Sequence, residues 1–148
     1  MSTDFSKGLI AGAAAALTAA AAWYFSLHPK KPSSQKKVFV LAVRLTLNPE
    51  KGGLQAFLAA WQPLAKFCLE NEPNTLSYEL AYGEEDPNEI IIYERYVTKS
   101  DLVDVHHKGA AFLAFGKRIG PDGPLAGLVL NKTKATYFES NVGYMGRE

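Results

Sequence analysis

Two histidines, His106 and His107, stand side by side ahead of Phe112 and Phe115, and Glu94 and Tyr96 precede them in a segment that also holds Ile90 and Ile92. An imidazole with an ordinary pKa near 6.5 can take or give a proton at neutral pH. A glutamate on the same sheet face can hydrogen-bond that histidine or pair with an arginine such as Arg44. On an α-helix adjacent rings diverge by about 100°, so the histidine pair is poorly spaced to chelate one metal, and no dedicated metal site is expected. The chain lacks Gly-x-Ser-x-Gly, a phosphate-binding glycine loop, Cys-x-x-Cys and His-Glu-x-x-His. Cys68 is the single cysteine, which excludes an intramolecular disulfide. What remains is a histidine able to exchange a proton near neutral pH, with no standard catalytic motif around it.

The elements that must position these residues follow from periodicity. Residues 38–47 alternate, with Phe39, Leu41, Val43, Leu45 and Leu47 on one face and Val38, Val40, Ala42, Arg44 and Thr46 on the other. Asn48-Pro49-Glu50-Lys51-Gly52-Gly53 breaks the run. From Leu54 the spacing turns helical through Phe57, Leu58, Trp61, Leu64, Ala65 and Cys68, with Pro63 expected to kink the helix or locally loosen its hydrogen bonds. Trp61 and Cys68 read as core. Residues 75–82 alternate with Leu76, Tyr78, Leu80 and Tyr82 on one side, a polar turn follows, and 90–97 returns as a strand. Residues 100–117 read as a helix in two pieces split near Gly109. Residues 119–131 read as a long loop and 133–142 as the closing strand. Strand, helix, strand, strand, helix, strand is the split βαβ order of an α+β, ferredoxin-like fold with an antiparallel sheet. Burying Val40 and Ala42 on the second sheet face calls for a partner sheet.

Glu72-Pro73-Asn74, Tyr78-Glu79, Glu94-Arg95-Tyr96, His106 and Phe112-x-x-Phe115 resemble, in order and spacing, the antibiotic biosynthesis monooxygenase domain. That family's pattern runs Glu-Pro-Gly, Tyr-Glu, Glu-Arg-Trp, and then a helix with His and Phe-x-x-Phe. The resemblance covers about residues 38–140. It implies a dimeric α+β barrel, a homodimer with a pocket between each sheet and its helices, and oxygenation of a small aromatic or quinol-like substrate without a cofactor. His106 matches the family's helix histidine and is the implied catalytic base. Arg44, Tyr78, Glu94, Tyr96, Phe112 and Phe115 are the implied substrate-binding residues, with Glu94 placed to bond the histidine or pair with Arg44. His107 is expected to face solvent. Asn74 replaces the family's glycine, and Asn also tolerates positive φ. Tyr96 replaces its tryptophan. No Trp lies in the region where the haem-degrading branch needs one, which disfavours haem oxygenation. A small-ligand-binding barrel without catalysis, or one with isomerase chemistry, is the alternative.

The chain of 148 residues carries a formal charge of +1, but unevenly. Residues 1–37 hold five lysines against Asp4, whereas residues 38–148 hold 11 basic and 14 acidic side chains, a net of −3. A domain of that balance offers no basic stripe for nucleic acid. After a short tail (1–7), residues 8–27 are uncharged for 20 positions, enough to span a bilayer as a helix, with Trp23, Tyr24 and Phe25 at one end. Residues 28–37 form a basic, proline-bearing linker to the domain (38–142), and 143–148 form a tail. The lysines after the apolar run favour a single-pass anchor with the domain on the cytosolic side. A cleaved segment, leaving a secreted or organellar domain, is the alternative.

Overall fold

The computed structural model describes residues 37–140 and 142. The apolar span at residues 8–27 and its linker up to Lys36 lie outside them. Among the described residues no helix is long and apolar enough to cross a membrane.

Strand β1 (Phe39–Leu47) ends where Asn48 accepts the Glu50 amide at 3.0 Å and starts a short 3-10 turn, Pro49–Lys51. Gly52 and Gly53 then adopt φ of 93° and 50°, values that suit glycine, and open helix α1 (Gly53–Asn71). The helix runs through Pro63 without a break and buries Leu54, Phe57, Trp61, Leu64 and Cys68, the stripe expected from spacing. Strands β2 (Thr75–Tyr82) and β3 (Glu89–Tyr96) form a hairpin. Asn88 in its turn accepts the Leu54 amide at 3.2 Å, which docks the turn on the start of α1.

After β3, Asp101 accepts bonds from the Thr98 amide and hydroxyl at 2.8 and 2.7 Å, starting a single π-helical turn, Asp101–His106. Gly109, in an extended conformation, separates this turn from helix α2 (Ala110–Ile119), at the break expected in sequence. Strand β4 runs from Val129 to Phe138. It begins four residues before the expected Thr133 and takes the end of the expected loop into the sheet. Leu128, just ahead of it, is completely buried.

The sheet order is β2-β3-β1-β4, antiparallel throughout, so the split βαβ order is realised. Phe39, Leu41, Val43, Leu45, Ile90, Ile92, Glu94 and Tyr96 face the helices in the core layer. The opposite face differs from expectation at its centre. Val40 is only 3% exposed within the single chain. Its cross-strand neighbours are Arg95 and Tyr137, and Arg95 makes a two-pronged ion pair with Glu139. Val40 is therefore already buried in a single copy, and its burial does not require a second sheet.

A candidate active-site cavity and the cluster behind it

The π-turn makes the side-chain geometry. A wider turn rotates successive residues by less than the α-helical 100°, and His106 and His107 end with ring centroids 5.8 Å apart. Both rings pack against Phe112 at 4.8 Å. His107 is half-buried and lines a cavity, which corrects the expectation that it faces solvent.

That cavity, about 500 Å³, lies between the helix-side face of the sheet and the π-turn with the start of α2. Phe39, Leu41 and Val43 of β1, with Leu102 and Phe112, supply apolar walls. Glu94, Lys99, His107, Lys132 and Lys134 supply the charge, and Thr136 an alcohol. A volume of this size, mostly apolar with a few convergent polar groups, suits a small organic molecule.

Glu94 is the buried acid of the cavity, 4% exposed. The Tyr96 hydroxyl donates to its Oε2 at 2.7 Å, and among the described residues Oε1 accepts no hydrogen bond. Burial pushes the carboxyl up from 4.5 to about 7, against the lowering effects of the Tyr96 hydrogen bond and of Lys132. A carboxyl so placed exchanges its proton near neutral pH. Burial also lowers His107, and the neighbouring His106, Lys134 and Lys132 add to the effect, so its imidazole is neutral at pH 7.

His106 is fully buried and does not line the cavity. Its Nδ1–H donates to Glu72 Oε2 at 3.0 Å, and Thr75 Oγ1 donates to the same oxygen at 2.9 Å. Burial lowers the imidazole pKa and outweighs the raising influence of Glu72. Cys68 Sγ lies 3.5 Å from the same Nδ1. Burial, then the Glu72 carboxylate, pushes its thiol up to about 12. The ligand atoms of Cys68, Glu72 and His106 fall within 4.8 Å of one another, so the three could in principle hold a metal ion. Coordination through Nδ1 would leave an Nε2–H in a place where that nitrogen has no hydrogen-bond partner. The trio reads more simply as a hydrogen-bond network that ties the end of α1 to the π-turn. Because thiol and carboxylate both meet Nδ1, with no partner on Nε2, it does not form a Cys-His-Glu relay.

The other expected binding residues divide. Glu94 and Phe112 meet at the cavity. Tyr96 stands directly behind Glu94 and is fully buried. Tyr78 lies between Trp61, stacked at 5.2 Å, and His106 at 5.1 Å, and is not on the cavity wall. Phe115 packs edge-on against Phe57 in the core. Arg44 is exposed on the other face of the sheet, opposite Ile91 and Thr133, so Glu94 cannot pair with it. Spacing missed the three lysines, although Lys132, Lys134 and Thr136 do alternate toward one side of β4.

The family model described as antibiotic biosynthesis monooxygenase matches residues 39–118 of this chain. The chain belongs to that family. Solved structures agree on the fold of this antibiotic biosynthesis monooxygenase domain. A protein from Bacteroides thetaiotaomicron aligns with a TM-score of 0.64 at 17% identity, over 77% of this chain and all of the other. One from Nitrosomonas europaea gives 0.61 at 19%, over 74% and 97%. One from Pseudomonas aeruginosa gives 0.59 at 19%, over 72% and 98%. The first two carry the family's name only provisionally, and at these identities the likeness establishes architecture alone. No curated protein matches. The π-turn, the cavity and the Glu72–His106 pair are thus features of one antibiotic biosynthesis monooxygenase domain with its own lining.

Proposed function

We propose that the chain is a cofactor-independent monooxygenase of a small aromatic or quinol-type substrate bound in the 500 Å³ cavity. The observation that carries this reading is Glu94, a buried acid beside the apolar side chains of Phe39, Leu41, Val43 and Phe112, with its carboxyl raised to about 7. Glu94 takes the proton of a substrate hydroxyl, and Tyr96 steadies the carboxylate. The ring anion is the reductant. It adds to dioxygen at a ring carbon, one oxygen atom stays as a new carbonyl, and the other leaves as water, so a phenol and dioxygen become a quinone and water. The apolar side chains of the walls limit solvation of the anion, and His107, neutral at pH 7, is available to hydrogen-bond the incoming or departing oxygen. His106, sealed behind the cavity, holds the π-turn in place rather than meeting the substrate.

The test is dioxygen uptake by the purified chain with a panel of quinols. Turnover that falls by about 10² in Glu94→Gln supports the assignment. Substrate binding without uptake in the wild type would sink the oxygenase reading and leave a ligand-binding barrel.

We also propose that residues 8–27 anchor the protein in a membrane, with the domain on the cytosolic side, and that two copies pair through the open sheet face. Ala42, Ile91, Tyr93, Ala135 and Tyr137 support that pairing, because they form an apolar surface on this side of the sheet.

A further inference from the structure

On β1 and β3 the helix-facing side is apolar apart from Glu94. Edge strand β4 inverts this pattern. Asn131, Thr133, Ala135 and Tyr137 occupy its open face, while Lys132 and Lys134 lie on the cavity side, opposite Leu45 and Val43. Lysines on an edge strand commonly block pairing with another sheet, and their stems can cover apolar surface. Lys132 and Lys134 are solvent-exposed residues that line the cavity, and Lys99, also exposed, joins them from the approach to the π-turn. Among the described residues none of the three forms an ion pair. Residues two apart on a strand face stand about 7 Å apart, so Lys132 and Lys134 can converge on one anionic group at the cavity mouth while its apolar body lies against Leu41 and Phe112. Their charges also reach the interior, since both lysines act on His107 and Lys132 acts on Glu94.

We infer that the substrate carries a fixed negative charge, a carboxylate or phosphate on its ring system, and that Lys132 and Lys134, with Lys99, are the residues that select it. This inference rests on the oxygenase reading for the site's location but concerns recognition alone, so binding tests it without turnover.

The probes are 1-naphthol and 1-hydroxy-2-naphthoate, which share a ring and a hydroxyl and differ by the carboxylate. Titration calorimetry of the purified chain should give the acid at least tenfold tighter binding than the naphthol. The gap should narrow as salt is raised from 20 to 300 mM, as expected for a solvent-accessible charge contact. In K132M/K134M, which keeps the apolar stems, the acid should fall to the affinity of naphthol while naphthol changes by less than about twofold; that second value shows that the cavity is intact. Equal affinity for the two probes in the wild type, or undiminished binding of the acid by the double variant, overturns the inference and leaves oxygenation of neutral quinols standing. Failure of both probes to bind overturns the inference together with the cavity as the binding site.

Discussion

Glu94→Gln isolates the energetic cost of the buried carboxyl. The amide keeps the shape and still accepts the Tyr96 hydroxyl, but it cannot ionise. In the wild type the group titrates at about 7 when folded, against an ordinary 4.5. A carboxyl raised on folding contributes its full stability below the unfolded pKa, and that contribution is lost as pH rises through the folded one. At about 1.4 kcal/mol per pK unit, ionising Glu94 inside the fold removes on the order of 3 kcal/mol. Relative to its effect at low pH, where both forms are neutral, Glu94→Gln should therefore gain about 1 kcal/mol at pH 5 and about 3 kcal/mol at pH 8, levelling off above that. Urea unfolding at both pH values reads this directly. With a slope of about 1–2 kcal/mol/M, the midpoint gain should be about 1–2 M larger at pH 8 than at pH 5. Contributions from other titrating groups cancel in the difference between variant and wild type. A midpoint difference that is the same at both pH values would refute the raised carboxyl. It would also remove the principal support for Glu94 as the base.

Three further outcomes are expected. His106→Ala should destabilise the fold by about 3 kcal/mol, because it opens a cavity beside Tyr78, Tyr96 and Phe112 and strips the buried Glu72 of a donor; thermal unfolding within 0.5 kcal/mol of wild type would contradict the network described. Light scattering at micromolar concentration should give a dimer, and Tyr137→Glu should shift it toward monomer; a wild-type monomer would reject pairing through the open face. The full chain should resist carbonate extraction from membranes, whereas release of the intact chain would exclude residues 8–27 as an anchor.

Layer order was readable in the sequence because the period changes cleanly from two to 3.6 at Leu54 and back at Thr75. The core followed from the same stripe, and the break at Gly109 from its lack of a side chain. The π-turn was not readable. One additional residue per turn leaves no mark on a six-residue pattern, and it is this turn that brings His107 to the cavity and His106 to Glu72. The β4 lysines were hidden for a different reason. Hydrophobic alternation identifies an inner face by its apolar side chains, and on β4 the inner face carries the charge. Val40 misled in the opposite direction, since alternation cannot tell an apolar residue already buried in one copy from one that needs a partner sheet. Family resemblance located Glu94, Tyr96 and Phe112 in one neighbourhood, but not which of them meets the cavity.

Cys68, the chain's single cysteine, sits in the same network as the wall of the cavity. A protonated, fully enclosed thiol does not react with alkylating or oxidising reagents. Its reaction requires a local opening, and parting of the end of α1 from the π-turn is one that would also disturb His106 and the Phe112 ring packed on it. The native protein thus carries its own opening gauge. The rate at which its one sulfur is modified, relative to a free thiol, measures how often the wall separates. A ligand that braces Phe112 should slow a reaction at an atom it never touches.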